Sequence, residues 1–246
     1  MCRHLAVLGP CAPLGASVAD PPYALVRQSW APRRQRHGTV NADGFGIGWY
    51  ADGDPRPARY RRAGPVWADP SFADLVRVVR SRALLAAVRD ATGPSGDGEA
   101  AAAPFTADRW LFSHNGALTG WPESAEPLAP LVPPGALLRL EARCDAAFVW
   151  ALVAHRLLAG AAPERALAGA VVALAEAAPG SRLNLLLTDG ASVTATAWGD
   201  TLWYLTGPGE RVVVASEPYD DDPRWAEVPD RTLLSADRTR LSLSSL

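Results

Sequence analysis

Met1-Cys2-Arg3-His4-Leu5 opens the chain, with a thiol at the second residue. A small second residue permits removal of the initiator Met, after which Cys2 carries both a nucleophile and a free α-amine. A free thiol has a pKa of about 8.5 and an α-amine about 8, so the amine can take the thiol proton near neutrality without help from a histidine. The expectation is an N-terminal nucleophile. A second candidate for chemistry is Ser113-His114-Asn115-Gly116. Asn-Gly reads as a plain β-turn. The other reading is an oxyanion hole built from the Asn115 side-chain amide and the Gly116 N–H, where one donor is worth on the order of 3–4 kcal/mol in the transition state. Asp145, which precedes a helical run, is either an N-cap or a partner for a ligand's ammonium.

These residues need elements to hold them. Leu5 to Gly9 is a short apolar run ended by Gly9-Pro10, which suits a buried strand with Cys2 at its start. In Asn41-Ala42-Asp43-Gly44-Phe45-Gly46-Ile47-Gly48-Trp49-Tyr50 three glycines alternate with apolar residues. One face of that strand has no side chains, so something must approach its backbone closely. The spacing is not a dinucleotide fingerprint, because no helix follows to receive a phosphate. Residues 57–62 return as a partner strand after a turn at 51–55. Asp69-Pro70 starts a helix over 71–82, with Phe72, Leu75, Val76 and Val79 on one face. A buried strand over 84–88 then delivers Arg89-Asp90-Ala91-Thr92-Gly93 into a Gly/Ala/Pro-rich flap at 93–104. Arg109 to Phe112 is a further short strand. Helices are expected over 146–158 and 163–177, the second with Pro at its first turn. Strands over 183–188, 192–198, 202–205 and 211–215 form a meander, and the tail from Leu241 is expected to fray. The Arg-rich segment Gln28-Ser29-Trp30-Ala31-Pro32-Arg33-Arg34-Gln35-Arg36-His37 is either a solvated connection or a substrate-lining loop in which Trp30 offers an aromatic face.

Strands, then helices, then strands indicate one α+β domain over residues 1–246, with helices packed on stacked sheets. All 24 basic residues are Arg, which removes Schiff-base and P-loop lysine chemistry. A net charge of −2 gives no global attraction to nucleic acid or to an anionic membrane. There is no 18-residue apolar run and no signal-peptide core, so the expected location is cytoplasmic. Cys2, Cys11 and Cys144 are odd in number and fit no disulfide framework. A zinc site of Cys2, His4 and Cys11 matches tetrahedral ligand spacing poorly.

Taken in order, Cys2, the 41–49 stretch, Val88-Arg89-Asp90-Ala91-Thr92, Ser113-His114-Asn115-Gly116 and Asp145 at a helix start resemble the class-II glutamine amidotransferases. The opening pentapeptide, Gln28-Ser29-Trp30-x-Pro32 and Ala215-Ser216-Glu217-Pro218-x-Asp220-Asp221-Asp222-Pro223-x-Trp225 are similar to the γ-glutamyl amidases of ergothioneine biosynthesis within that family. The resemblance implies a four-layer αββα sandwich of mostly antiparallel sheets, the N-terminal-nucleophile hydrolase fold. It also implies hydrolysis of a small-molecule γ-glutamyl amide, γ-glutamyl-hercynylcysteine sulfoxide, without metal or cofactor and through a thioester on Cys2. On the same basis Asn115 and Gly116 would hold the oxyanion. Arg89 would clamp the glutamyl α-carboxylate with Thr92 as a nearby donor, Asp145 would pair with the α-ammonium, and Trp30 would cage the leaving group's trimethylammonium. The alternative is a glutaminase subunit that supplies ammonia to a partner synthetase. Two positions depart from relatives: Gly93 stands where a His often follows the Arg-x-Ala-Thr segment, and Ala146-Ala147 stand where an acidic residue is common.

Overall fold

In the computed structural model, residues 2–91, 97–208 and 210–246 are described. The strands are β1 (Cys2–Pro13), β2 (Gly44–Trp49), β3 (Ala58–Arg62), β4 (Arg80–Arg89), β5 (Phe105–Ala107), β6 (Trp110–Ala117) and β7 (Arg182–Thr188), followed by β8 (Ser192–Ala197), β9 (Trp203–Gly207), β10 (Arg211–Ala215), β11 (Ala226–Glu227), β12 (Thr232–Asp237) and β13 (Leu241–Ser245). The α-helices are α1 (Gly15–Val18), α2 (Leu25–Gln28), α3 (Pro70–Val78), α4 (Pro134–Leu137), α5 (Asp145–Leu158) and α6 (Pro163–Ala177). One sheet runs β11-β9-β10-β1-β4-β2-β3 and the other β13-β12-β8-β7-β6-β5. The pairings within both are antiparallel.

Strand alternation makes the layers. Leu5, Val7, Ile47, Ala86 and Val213 face outward under Phe72 and Val76 of α3. Ala6, Leu8, Leu85 and Val214 face inward against Leu111, Leu186 and Ala195 of the second sheet. The outer face of that sheet, with Phe112, Leu185 and Leu187, packs under α5 and α6. The order is therefore helix, sheet, sheet, helix, which is the α+β sandwich expected. Among the described residues no helix is long and apolar enough to cross a membrane.

Several boundaries move for physical reasons. Strand β1 runs past Gly9-Pro10 to Pro13, because a shift of register between Leu8 and Ala12 accommodates the proline that would otherwise end it. Helix α3 starts as read, with the Asp69 carboxylate accepting from the N–H groups of Ser71 and Phe72 at 3.0 and 3.2 Å. It stops at Val78, since Arg80 and Ser81 are taken up by pairing with Pro13 and Ala12. The tail does not fray: β13 pairs with β12 from Thr232↔Ser245 to Ala236↔Leu241. Within the expected flap, Gly98–Ala101 forms a 3₁₀ turn, and residues 93–96 lie outside the described residues.

Two close approaches account for the glycine stripe of β2. A Cβ at Gly46 would collide with the carbonyl of Ala103, and one at Gly48 would lie 2.7 Å from the Leu111 side chain. The close approach comes from the chain's own 101–104 segment and from the facing sheet.

Candidate active site

Three strand ends meet at Cys2. It is the first residue of β1 and sits opposite Arg89, the last of β4, while Gly44 at the start of β2 flanks Arg89 on the other side. Residues paired directly across strands project from the same face, so the Cys2 thiol and the Arg89 side chain share one side of the sheet. They open into a cavity of about 460 Å³, whose wall also includes Gly116 from β6 and Asp145 from the head of α5. Four of the residues expected to act together are thus brought together.

Each is held by the local fold. Asp43 organises the end of β4: its N–H donates to the Arg89 carbonyl at 2.9 Å and its carboxylate accepts the Ala91 N–H at 2.7 Å, while Arg89 Nη1 donates to the Asp43 carbonyl at 3.4 Å. Asp145 accepts the Leu118 N–H at 2.9 Å on one oxygen and the Ala146 N–H at 2.7 Å on the other. A carboxylate in the first turn of α5 is further favoured by the helix dipole. Cys144, not Asp145, occupies the capping position.

Asn115 and Gly116 do not form a β-turn. They lie inside β6, opposite Asn184 and Leu183. Gly116 is required there, because a Cβ would collide with the Arg182 carbonyl. Asn115 is fully buried and faces the space between the sheets, with Nδ2 3.4 Å from Ser216 Oγ; it does not line the cavity wall.

Burial pushes the Cys2 thiol above its ordinary value; the Arg89 guanidinium and a hydrogen bond with the Asp90 backbone draw it down, and the Asp145 charge raises it. A thiol so placed depends on a base close by. His4, two residues along the same face, is unsuited to that role: burial and then the Arg3 charge bring it down to about 3, and its Nδ1 lies 3.1 Å from Ser113 Oγ. The zinc reading fails on distance, since Cys2 and Cys11 are nine residues apart along one strand, roughly 30 Å at about 3.3 Å per residue.

The loop after α2 is more than a solvated connection. Glu217, fully buried, takes Arg3 Nη2 at 2.6 Å and the N–H groups of Arg33 and Arg34 at 3.0 and 2.7 Å. Asn41 holds the other end through Gln28 O and Gln35 Oε1. At Gly38, whose φ is +69°, a Cβ would strike the Asp90 carboxylate, so the loop runs against the cavity rim. Trp30 is not brought to the cavity. It is 45% exposed and stands edge-on to Trp67 with ring centroids 5.6 Å apart. Thr92 lies outside the described residues.

Trp121, His114, Arg143 and Cys144 are among the wall residues that sequence reasoning passed over. Only His114 carried a signal, through its place in the Ser-His-Asn-Gly motif.

Residues 16–210 match the class-II glutamine amidotransferase family. A γ-glutamyl-hercynylcysteine sulfoxide hydrolase of Mycolicibacterium smegmatis is 44% identical over 95% of each chain. The protein of that name from Mycobacterium tuberculosis H37Rv is 41% identical over 100% of this chain and 97% of the relative. Among solved structures, a glutamine aminotransferase class-II domain protein from Silicibacter pomeroyi superposes with a TM-score of 0.70 at 23% identity, covering 99% of this chain and 98% of that one. The glutamine phosphoribosylpyrophosphate amidotransferase of B. subtilis superposes at 0.68 and 15% identity, over 99% of this chain and 49% of the other; both support the fold alone. By the match over most of its length and by its close relatives, the chain belongs to the class-II glutamine amidotransferases and is an amidohydrolase.

Proposed function

We propose that the chain, acting as one domain, hydrolyses the γ-glutamyl amide of γ-glutamyl-hercynylcysteine sulfoxide to glutamate and hercynylcysteine sulfoxide. The observation that carries this reading is identity of 41–44% along at least 95% of both chains to relatives bearing that activity in their name. The gathering of Cys2, Arg89, Gly116 and Asp145 around one cavity supports it.

In this reading removal of Met1 frees the Cys2 α-amine. The amine takes the thiol proton, and the thiolate adds to the γ-carbonyl carbon. The oxyanion is held by the Gly116 N–H and the Asn115 amide. Collapse breaks the C–N bond as the ammonium returns its proton to the leaving nitrogen, which departs as the amine of hercynylcysteine sulfoxide. A thioester to Cys2 remains. Water adds to it, giving its proton to the same amine, and the second collapse releases glutamate and restores the thiol. Arg89 takes the glutamyl α-carboxylate, a task that suits a planar two-pronged donor. Thr92 assists it, and Asp145 balances the α-ammonium.

The test offers L-glutamine and γ-glutamyl-hercynylcysteine sulfoxide side by side to the processed protein and measures glutamate release, with Cys2→Ala as the blank. The expected result is strong preference for the sulfoxide, lost in the variant. Preference for glutamine would overturn the substrate assignment in favour of an ammonia-supplying subunit.

A further inference from the structure

Ser216, immediately after β10, has no place in the reaction just described, yet it joins three parts of the site. Its N–H donates to the His4 carbonyl at 2.9 Å, and its Oγ accepts the His4 N–H at 3.0 Å. Its carbonyl receives Thr201 Oγ1 at 2.8 Å. Ser216 is thereby fixed against the strand that begins with Cys2, two residues from the nucleophile. Across the space between the sheets the same Oγ lies 3.4 Å from Asn115 Nδ2. Both residues are fully buried.

Proton accounting across this contact points to one arrangement. The Ser216 hydroxyl accepts the His4 N–H and keeps a second lone pair and its own proton, so it can meet the Asn115 amide either as acceptor or as donor, and the state of Asn115 Oδ1 decides between the two. Asn115 Oδ1 is buried without a hydrogen-bond partner, and an orphaned buried acceptor of this kind costs on the order of 1–3 kcal/mol. The two ends of a carboxamide are isosteric, so turning the Asn115 amide about its last bond fits the same space. In that orientation Oδ1 accepts the Ser216 proton, and the NH₂ group takes the position that the unpartnered oxygen would otherwise hold.

We propose that Ser216 is a positioning residue for the oxyanion hole: its hydroxyl donates to Asn115 Oδ1 and so keeps the Asn115 NH₂, rather than its carbonyl, available to the developing oxyanion at Cys2. The inference rests on the proposed role of Asn115. Its chemistry is a hydrogen bond only, and no covalent step passes through Ser216.

The experiment is a double-mutant cycle on the processed protein with the preferred γ-glutamyl substrate, using Ser216→Ala, Asn115→Ala and the pair, with folding checked by thermal melting. Ser216→Ala is expected to lower kcat by about 30-fold, less than the loss of a whole donor, with KM within about twofold. In the Asn115→Ala background the same change should cost less than about twofold, because there is no longer an amide to orient. Alkylation of Cys2 by iodoacetamide should proceed at the wild-type rate in Ser216→Ala. Should the alanine variant not fold, Ser216→Cys, close in volume and a weaker donor, takes its place in the cycle with a smaller fall in kcat. Equal losses in the two backgrounds, or an undiminished kcat in the Ser216 variant, would overturn the proposal. An Asn115→Ala enzyme with wild-type kcat would instead remove the oxyanion role of Asn115, whatever Ser216 does.

Discussion

Ala6, Leu8, Leu111, Leu186, Ala195 and Val214 fill one stretch of the space between the sheets with aliphatic carbon. A few residues along the same strands, Cys2, His4, Ser113, Asn115 and Ser216 occupy the corresponding positions. Strand alternation and the sheet spacing are the same in both places; only the side chains change. The aliphatic end stabilises the sandwich at a rate of about 25 cal/mol per Å² removed from water. At the polar end each buried group needs its own partner, and His4 Nε2 lacks one. This sandwich thus separates its tasks by position along a strand: carbon holds the sheets together at one end, and stability is given up at the other to place polar groups.

The separation can be broken from either side. Leu186→Ala, at the dry end, is expected to lower unfolding free energy by about 3 kcal/mol in urea titrations, while kcat of the folded fraction stays at the wild-type value. Arg89→Lys, at the reactive end, should do the reverse. Loss of the two-pronged carboxylate binding proposed for Arg89 predicts a KM raised by about 30-fold, near 2 kcal/mol, with an unchanged melting temperature. A smaller effect comes from His4. Its folded-state value near 3 lies below the unfolded value of about 6.5, so between these the unfolded chain binds a proton that the folded chain does not. Stability therefore falls as pH falls, by roughly 2 kcal/mol between pH 7 and pH 5 from this group. His4→Asn, which preserves a polar group toward Ser113, should flatten that part of the profile; an unaltered slope would show that the charge penalty lies elsewhere.

Much of this division was legible in the sequence, and its limits were physical. Cys2, Arg89 and Asp145 sit at the strand and helix ends expected of them, whereas Gly116, expected beyond a strand ending at Phe112, lies inside β6. Helix α6 matches its expected bounds because proline at its first turn and Pro179-Gly180 after it are local signals. Long-range pairing was not legible. Strand β4 takes the last residues expected of a helix, since pairing with β1 outweighs local propensity. Glu217 clasps a loop more than 180 positions earlier in the chain, and no spacing within either segment announces it. The alternation Leu241-Ser242-Leu243-Ser244 did carry a strand's period of two, but its partner β12 was not anticipated. The glycine stripe was rightly read as a close approach, and its occupant, a distant segment of the same chain, could be seen only in three dimensions.

The central claim is that Cys2, freed by removal of Met1, is the nucleophile of the cavity. Cys144 offers a built-in control, because it lines the same wall and burial pushes its thiol up to about 11. The direct measurement is acid quenching of the processed enzyme during turnover, followed by peptide mass spectrometry. A glutamyl thioester on the peptide that begins with Cys2, absent from Cys2→Ala, is the predicted result; a glutamyl adduct on Cys144, or turnover that survives in Cys2→Ala, would contradict it.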